Sequence, residues 1–145
     1  MHILSCKQNN LDDMTRFDNA LDDNALDAGT YSYAFISNFP SNDKLFIESI
    51  FKEIEIKTES LHFVPETQWS EADIRVDFNK NISTTYVGKD IFLLPNDSWT
   101  TNIGKGYSES HREAIRITIG RLILGVASDG SFDWDAIHEK YGKAL

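Results

Sequence analysis

The sequence predicts one α+β domain: a twisted sheet of about four strands, a long helix packed on it, a buried central helix and a C-terminal helix. Three observations predict this. Apolar and small or polar residues alternate at 31–35 and 72–78, the period of half-buried strands. Ile47, Ile50, Phe51 and Ile54 recur at helical spacing. A segment near 110–126 is apolar nearly all round, as a helix inside a core must be.

Taken in order, residues 1–29 read as an acidic arm. Asp12, Asp13, Asp18, Asp22, Asp23 and Asp27 stand there among few large apolar residues, and Asp-Asn-Ala-Leu-Asp occurs at 18–22 and again at 23–27. Such a segment has little to bury, so the domain is expected over 30–145 and is expected to fold without its first 28 residues. The repeat lacks the alternating ligands, the sixth-position glycine and the twelfth-position glutamate of a calcium loop. Tyr31, Tyr33 and Phe35 then alternate with Ser32 and Ala34, predicting a strand over 31–39 that Pro40 ends. Ser41 stands where a helix N-cap would, with Asp43 in the first turn, and the helix is expected over about 42–58.

Leu61 to Val64 predicts a second strand, broken by Pro65. In Ala72 to Phe78, Ile74, Val76 and Phe78 point one way and Asp73, Arg75 and Asp77 the other. Gly88 precedes a further strand over Asp90 to Leu94, stopped by Pro95, and the polar stretch from Asn96 to Tyr107 reads as a long loop. Ser110 and Glu113 form a capping box that opens the central helix. Asp133 caps the last helix, Phe132 and Ile137 are placed as a hydrophobic staple, and Tyr141 and Gly142 close it.

Composition narrows the function classes. The 145 residues are 41% hydrophobic and 12% aromatic, enough for a real core. Against 14 basic residues stand 23 acidic ones, a net charge of −9. With the cations scattered, neither a nucleic-acid backbone nor an anionic membrane is an expected partner. No run of about 18 apolar residues is present to span a membrane. Met1 to Asn10 lacks a basic start followed by an apolar stretch, so cytoplasmic residence is expected, with leaderless export as the open alternative. Cys6 is the one cysteine, so it has no intramolecular disulfide partner. His2, His62, His111 and His138 are too far apart in sequence to form a local chelating pair.

The order of these pieces resembles the metzincin zinc proteases, most closely their matrixin and serralysin branches. The likeness rests on Thr30 to Phe35, the helix 42–58 with Leu61 to Glu66, Ala72 to Phe78, Gly88 to Leu93 and the helix 110–126; Asp135 to Gly142 resembles a C-terminal helix of that family. The resemblance implies a zincin-like fold and a family motif, His-Glu-x-x-His-x-x-Gly-x-x-His, in which histidines hold zinc and the glutamate is the general base. Aligned on Gly120, this chain carries Ile117 at the first histidine, Thr118 at the glutamate, Arg121 at the second histidine, Leu124 at the glycine and Ala127 at the third histidine. The family's methionine turn has no counterpart, because the methionines are Met1 and Met14, and 127–133 is too short for the usual lower subdomain.

The resemblance and its gaps together imply a degenerate, truncated relative with no catalytic residue, no metal and no cofactor expected: a pseudoprotease acting by binding or regulation. Its partner is expected to be a protein or peptide, or a small anionic ligand. The remnant cleft is expected at Ile117, Thr118 and Arg121. Asp90, Ile91, Phe92 and Leu93 are expected to form the edge strand that, in active relatives, pairs with an extended substrate. The competing expectation is a metal-independent enzyme on the same scaffold, using Arg121 as an anion holder and Asp97, Tyr107, His111 or His138 as acid or base.

Overall fold

The computed structural model describes residues 21, 23–36, 38–105, 109–125 and 131–145. They form an α+β fold. The strands are β1 (Gly29–Phe35), β2 (Leu61–Pro65), β3 (Ile74–Lys80), β4 (Thr84–Thr85) and β5 (Thr101–Gly104); the helices are α1 (Ser41–Lys57), α2 (Glu109–Leu124) and α3 (Trp134–Tyr141). One five-stranded sheet runs β2-β1-β3-β5-β4. All its pairings are parallel except β4 with β5, which is antiparallel.

The alternating residues behave as their period requires. Tyr33 pairs in register with Ile74 and Phe35 with Val76, so these side chains share one face. That face meets α1, where Ile47, Ile50, Phe51 and Ile54 are buried; the Tyr33 and Phe51 rings lie 4.8 Å apart. α2 completes the core with Ile115, Ile119, Leu122 and Ile123. Asp133 caps α3, accepting a hydrogen bond from the Ala136 amide at 3.2 Å, and Gly142 ends it at φ +82°.

Five expectations need correction. The strand at 90–94 is a 3-10 turn spanning Gly88–Leu93, closed by bonds from the Asp90 amide to the Val87 carbonyl and from the Leu94 amide to the Ile91 carbonyl. Phe92 and Leu93 are both exposed, at 52% and 65%, where a half-buried strand would bury one of two neighbours. The long loop contains β5, a central strand whose residues are all buried. Its polar side chains bond within the sheet: Thr101 Oγ1 to Thr85 Oγ1 at 2.9 Å, and Asn102 Nδ2 to Asn79 Oδ1 at 2.7 Å.

The helix caps differ too. Pro40, not Ser41, holds the N-cap position of α1, and Ser41 is the first helical residue. Ser110 lies inside α2, which begins at Glu109, so it is no N-cap. The fifth correction concerns the acidic arm. Ala25 and Leu26 are fully buried, and the Leu26 amide donates to the Ile123 carbonyl at 2.9 Å. The second copy of the repeat is therefore a strap in the core, and Gly29 already belongs to β1. The first copy lies outside the described residues except for Leu21.

Gly88 makes the strap possible. Its φ is +52°, and a methyl group there would collide with the Asn24 carbonyl. The Lys89 amide donates to that same carbonyl at 2.8 Å, and Asn24 Nδ2 donates to the Val87 carbonyl at 2.9 Å.

Candidate functional site

α2 crosses the core against α1, β4, β5 and the 3-10 turn at 88–93. This packing fixes which residues the helix offers. Thr118 is buried, and its hydroxyl donates to the Ala114 carbonyl one turn back, at 2.7 Å. The side chain at the expected general-base position is thus bonded into its own helix. Ile117 and Arg121 are half-buried, and Arg121 is engaged. Ala127 lies outside the described residues.

These residues do not fit zinc. A zinc site takes thiolate, imidazole or carboxylate ligands, and a guanidinium neither deprotonates in a protein nor donates an electron pair. Among the described residues, no three His, Cys, Asp or Glu side chains come together as a metal site needs.

The other half of the expected site divides. Asp90 and Ile91 are buried, while Phe92 and Leu93 face outward from the 3-10 turn. The antiparallel edge of the sheet is β4, whose Thr84 and Thr85 pair with Asn102 and Thr101 of β5. β4 and α2 are in contact. The edge of the sheet therefore lies beside the helix that carries Ile117, Thr118 and Arg121, and it is formed by a segment that precedes the predicted one in the chain.

The acid–base candidates stand on separate elements. Asp97 is exposed on the connection between the 3-10 turn and β5. His138 is on α3, its ring 5.7 Å from that of Trp134. Tyr107 lies outside the described residues. His111 is half-buried at the start of α2, with Nε2 3.2 Å from Asp43 Oδ2 of α1. Asp43 is therefore more than a residue suited to the helix dipole: it ties the two helices together.

Sequence reasoning missed Arg75. The alternation put it on the polar face of β3, which is right, but that face is covered, and Arg75 is 4% exposed. Its guanidinium donates to three backbone carbonyls: Nε to Ser98 at 2.6 Å, Nη1 to Ala72 at 2.8 Å and Nη2 to Pro95 at 3.2 Å. Its backbone brackets Thr100, whose hydroxyl accepts from the Arg75 amide at 2.9 Å and donates to the Arg75 carbonyl at 3.1 Å. Arg75 thus pins the segment 95–100 over the sheet. Burial pushes its pKa down, and the nearby Asp73 and Asp97 charges oppose that shift. The sequence signal was a long cation in the middle of the alternating stretch 72–78, whose other residues are short-chained or apolar.

No family model matches the chain, and no curated protein does. Solved structures do. One structure of myroilysin, a metalloprotease, superposes with a TM-score of 0.59 at 14% identity, over 72% of this chain and 52% of that one. A second myroilysin structure gives 0.57 at 15% identity, over 70% and 46%. The chain thus spans about half the length of the structures it matches. At such identity the likeness concerns the fold alone.

Proposed function

We propose that the chain is a non-catalytic pseudoprotease: a binding module that takes an extended peptide along β4 and the adjoining face of α2. One observation carries the reading. At the positions of α2 that the sequence resemblance aligns with the family's chemistry stand Ile117, a self-bonded Thr118 and Arg121. β4 meanwhile pairs with β5 in the sheet's antiparallel edge position, a place where an added strand gains main-chain hydrogen bonds. Arg121 supplies a cation for an acidic side chain or terminal carboxylate of that peptide.

The test uses the intact chain and a mixed pool of extended peptides, with and without added zinc. Expected are peptides retained uncleaved, less than stoichiometric zinc by elemental analysis, and amide shifts in Thr84 to Val87 on binding. Arg121→Met should keep the fold and weaken retention of acidic peptides by about tenfold. Peptide cleavage that disappears in the Arg121→Met protein would replace this reading with a metal-independent enzyme. Unchanged retention in that variant would remove Arg121 from the site.

A further inference from the structure

A pocket of about 140 Å³ opens at the N-terminal end of β3, between the 3-10 turns at 69–71 and 88–93. Glu71, Asp73 and Arg75 line it together with Ile91, Phe92 and Leu94. It is separate from the α2 face and independent of the peptide reading.

The chemistry of the lining is unusual in its charge order. Arg75 is a buried cation whose three hydrogen bonds all go to neutral carbonyls. Among the described residues no carboxylate oxygen reaches it within 4.0 Å. A guanidinium has five N–H donors. The three bonds leave one N–H on Nη1 and one on Nη2, donors that a carboxylate can accept. Asp73 Oδ2 accepts from the Ser32 amide at 2.9 Å and the Ser32 hydroxyl at 3.3 Å, which leaves Oδ1 available. Glu71 is exposed at the rim. Two carboxylates beside the cation would repel a simple anion; they suit a ligand that also carries an ammonium group. The rest of the lining mixes polar Ser70 and Asn96 with apolar Ile91, Phe92 and Leu94, and the volume is that of one small molecule rather than a chain segment.

We propose that this pocket binds a free aliphatic α-amino acid, its carboxylate on the remaining Nη N–H groups of Arg75, its ammonium on Asp73 and Glu71, and its side chain against Phe92. A buried cation held only by carbonyls, with two acids and the Phe92 side chain lining the same small space, is the juxtaposition that assigns it.

The experiment is calorimetric titration of the full chain with L-valine, and with acetate, N-acetyl-L-valine and L-valinamide, each of which lacks one of the recognised charges. L-Valine should bind, and each of the other three should bind at least about tenfold more weakly. Glu71→Gln and Phe92→Ala alter exposed side chains, so the fold should persist while valine affinity falls several-fold. Arg75→Lys keeps the charge and loses the Nη N–H groups. If that protein melts cooperatively, valine binding should be lost. If it does not fold, the Glu71 and Phe92 variants decide. No heat with L-valine at millimolar concentration overturns the proposal. So does acetate binding as tightly as valine, or valine affinity unmoved by both exposed-residue variants.

Discussion

The base of the fold and the seam between α1 and α2 both join segments far apart in sequence, by opposite means. At the base the bonds are neutral and buried or partly buried. The Tyr141 hydroxyl donates to the Leu26 carbonyl at 2.6 Å, the Leu26 amide to the Ile123 carbonyl at 2.9 Å, and the Tyr31 hydroxyl to the Asp27 carbonyl at 2.6 Å. At the seam the partners are charged. Arg116 reaches Glu53 with both Nη atoms, at 2.8 and 3.2 Å, and stacks over Phe132; Arg112 lies over Phe46; His111 meets Asp43. A neutral buried bond ignores salt and, near neutrality, pH; when one partner is removed the other keeps its desolvation penalty. A half-exposed ion pair is screened, titrates and contributes little. The difference teaches where the cooperativity of this small domain resides.

The largest expected effect lies at the base. A chain starting at Ala28 should lose cooperative unfolding or melt far lower, because it lacks Leu26 and every strap bond. Leu26→Ala alone should cost about 2–5 kcal/mol, a fall in Tm of roughly 10 °C. Thermal melting followed by circular dichroism checks both. A truncated chain that melts within a few degrees of the intact one would make the strap peripheral, as the composition of the acidic segment suggests, and the comparison would collapse.

That contrast also shows what was legible in the sequence. Period and spacing announced β1, β3, α1 and α2, because one face of each meets the core and the pattern records it. Asp133 announced the start of α3 through a local bond. The strap and β5 left no such trace. In Asp23-Asn24-Ala25-Leu26-Asp27 a single leucine is the large packing residue, and the rest of the hold is backbone bonding and one bond from the Asn24 side chain. Thr101 and Asn102 look like loop residues, and their burial depends on partners at Thr85 and Asn79 brought in by the fold. That neither Ile117 nor Arg121 can ligate zinc was legible, since chemistry is tied to residue type. The pocket at Arg75 was not, because it is made by two 3-10 turns meeting across a strand end.

A middle-sized effect sharpens the chemistry of the base. Tyr141→Phe should cost about 1 kcal/mol at neutral pH, since one buried hydrogen bond is lost and the Leu26 carbonyl is left unpaired. Burial pushes the Tyr141 pKa up, and the neighbouring Tyr31 and Asp27 push it the same way. The folded state therefore holds this proton more tightly than the unfolded chain does. The stabilisation is whole below the ordinary tyrosine pKa near 10 and fades as pH rises above it. Alkaline melting curves should show that decline, and Tyr141→Phe should make it shallower. Tyr31 and Tyr33, also raised chiefly by burial, keep part of the slope. An identical slope in wild type and variant would mean that Tyr141 titrates alike in both states, and the base would no longer count as a dry, neutral junction.

The smallest effect belongs to the seam, and its sign with pH is the reverse. The hydrogen bond from Arg116 holds the Glu53 carboxyl below its ordinary pKa; burial opposes this, and the Arg116 and Lys57 charges assist it. A lowered carboxyl pKa means stability that is present above the unfolded value and lost as pH falls through the folded one. Glu53 and Arg116 are 26% and 28% exposed, so solvent screening keeps the contribution small. Glu53→Gln should cost about 0.5–1 kcal/mol at pH 7 in low salt, and less in 1 M salt, where the screening length falls to about 3 Å. As pH falls through the lowered Glu53 pKa and the wild-type carboxyl takes up a proton, variant and wild type should converge. Glutamine is the better probe than any change at Arg116, because that arginine also covers the Phe132 ring at 4.2 Å and its loss would mix packing with charge. Urea melts at pH 7 and pH 3.5, each at two salt concentrations, separate the cases. A cost that stays constant across all four conditions would show that Glu53 works through shape rather than charge, and the seam would then be built like the base.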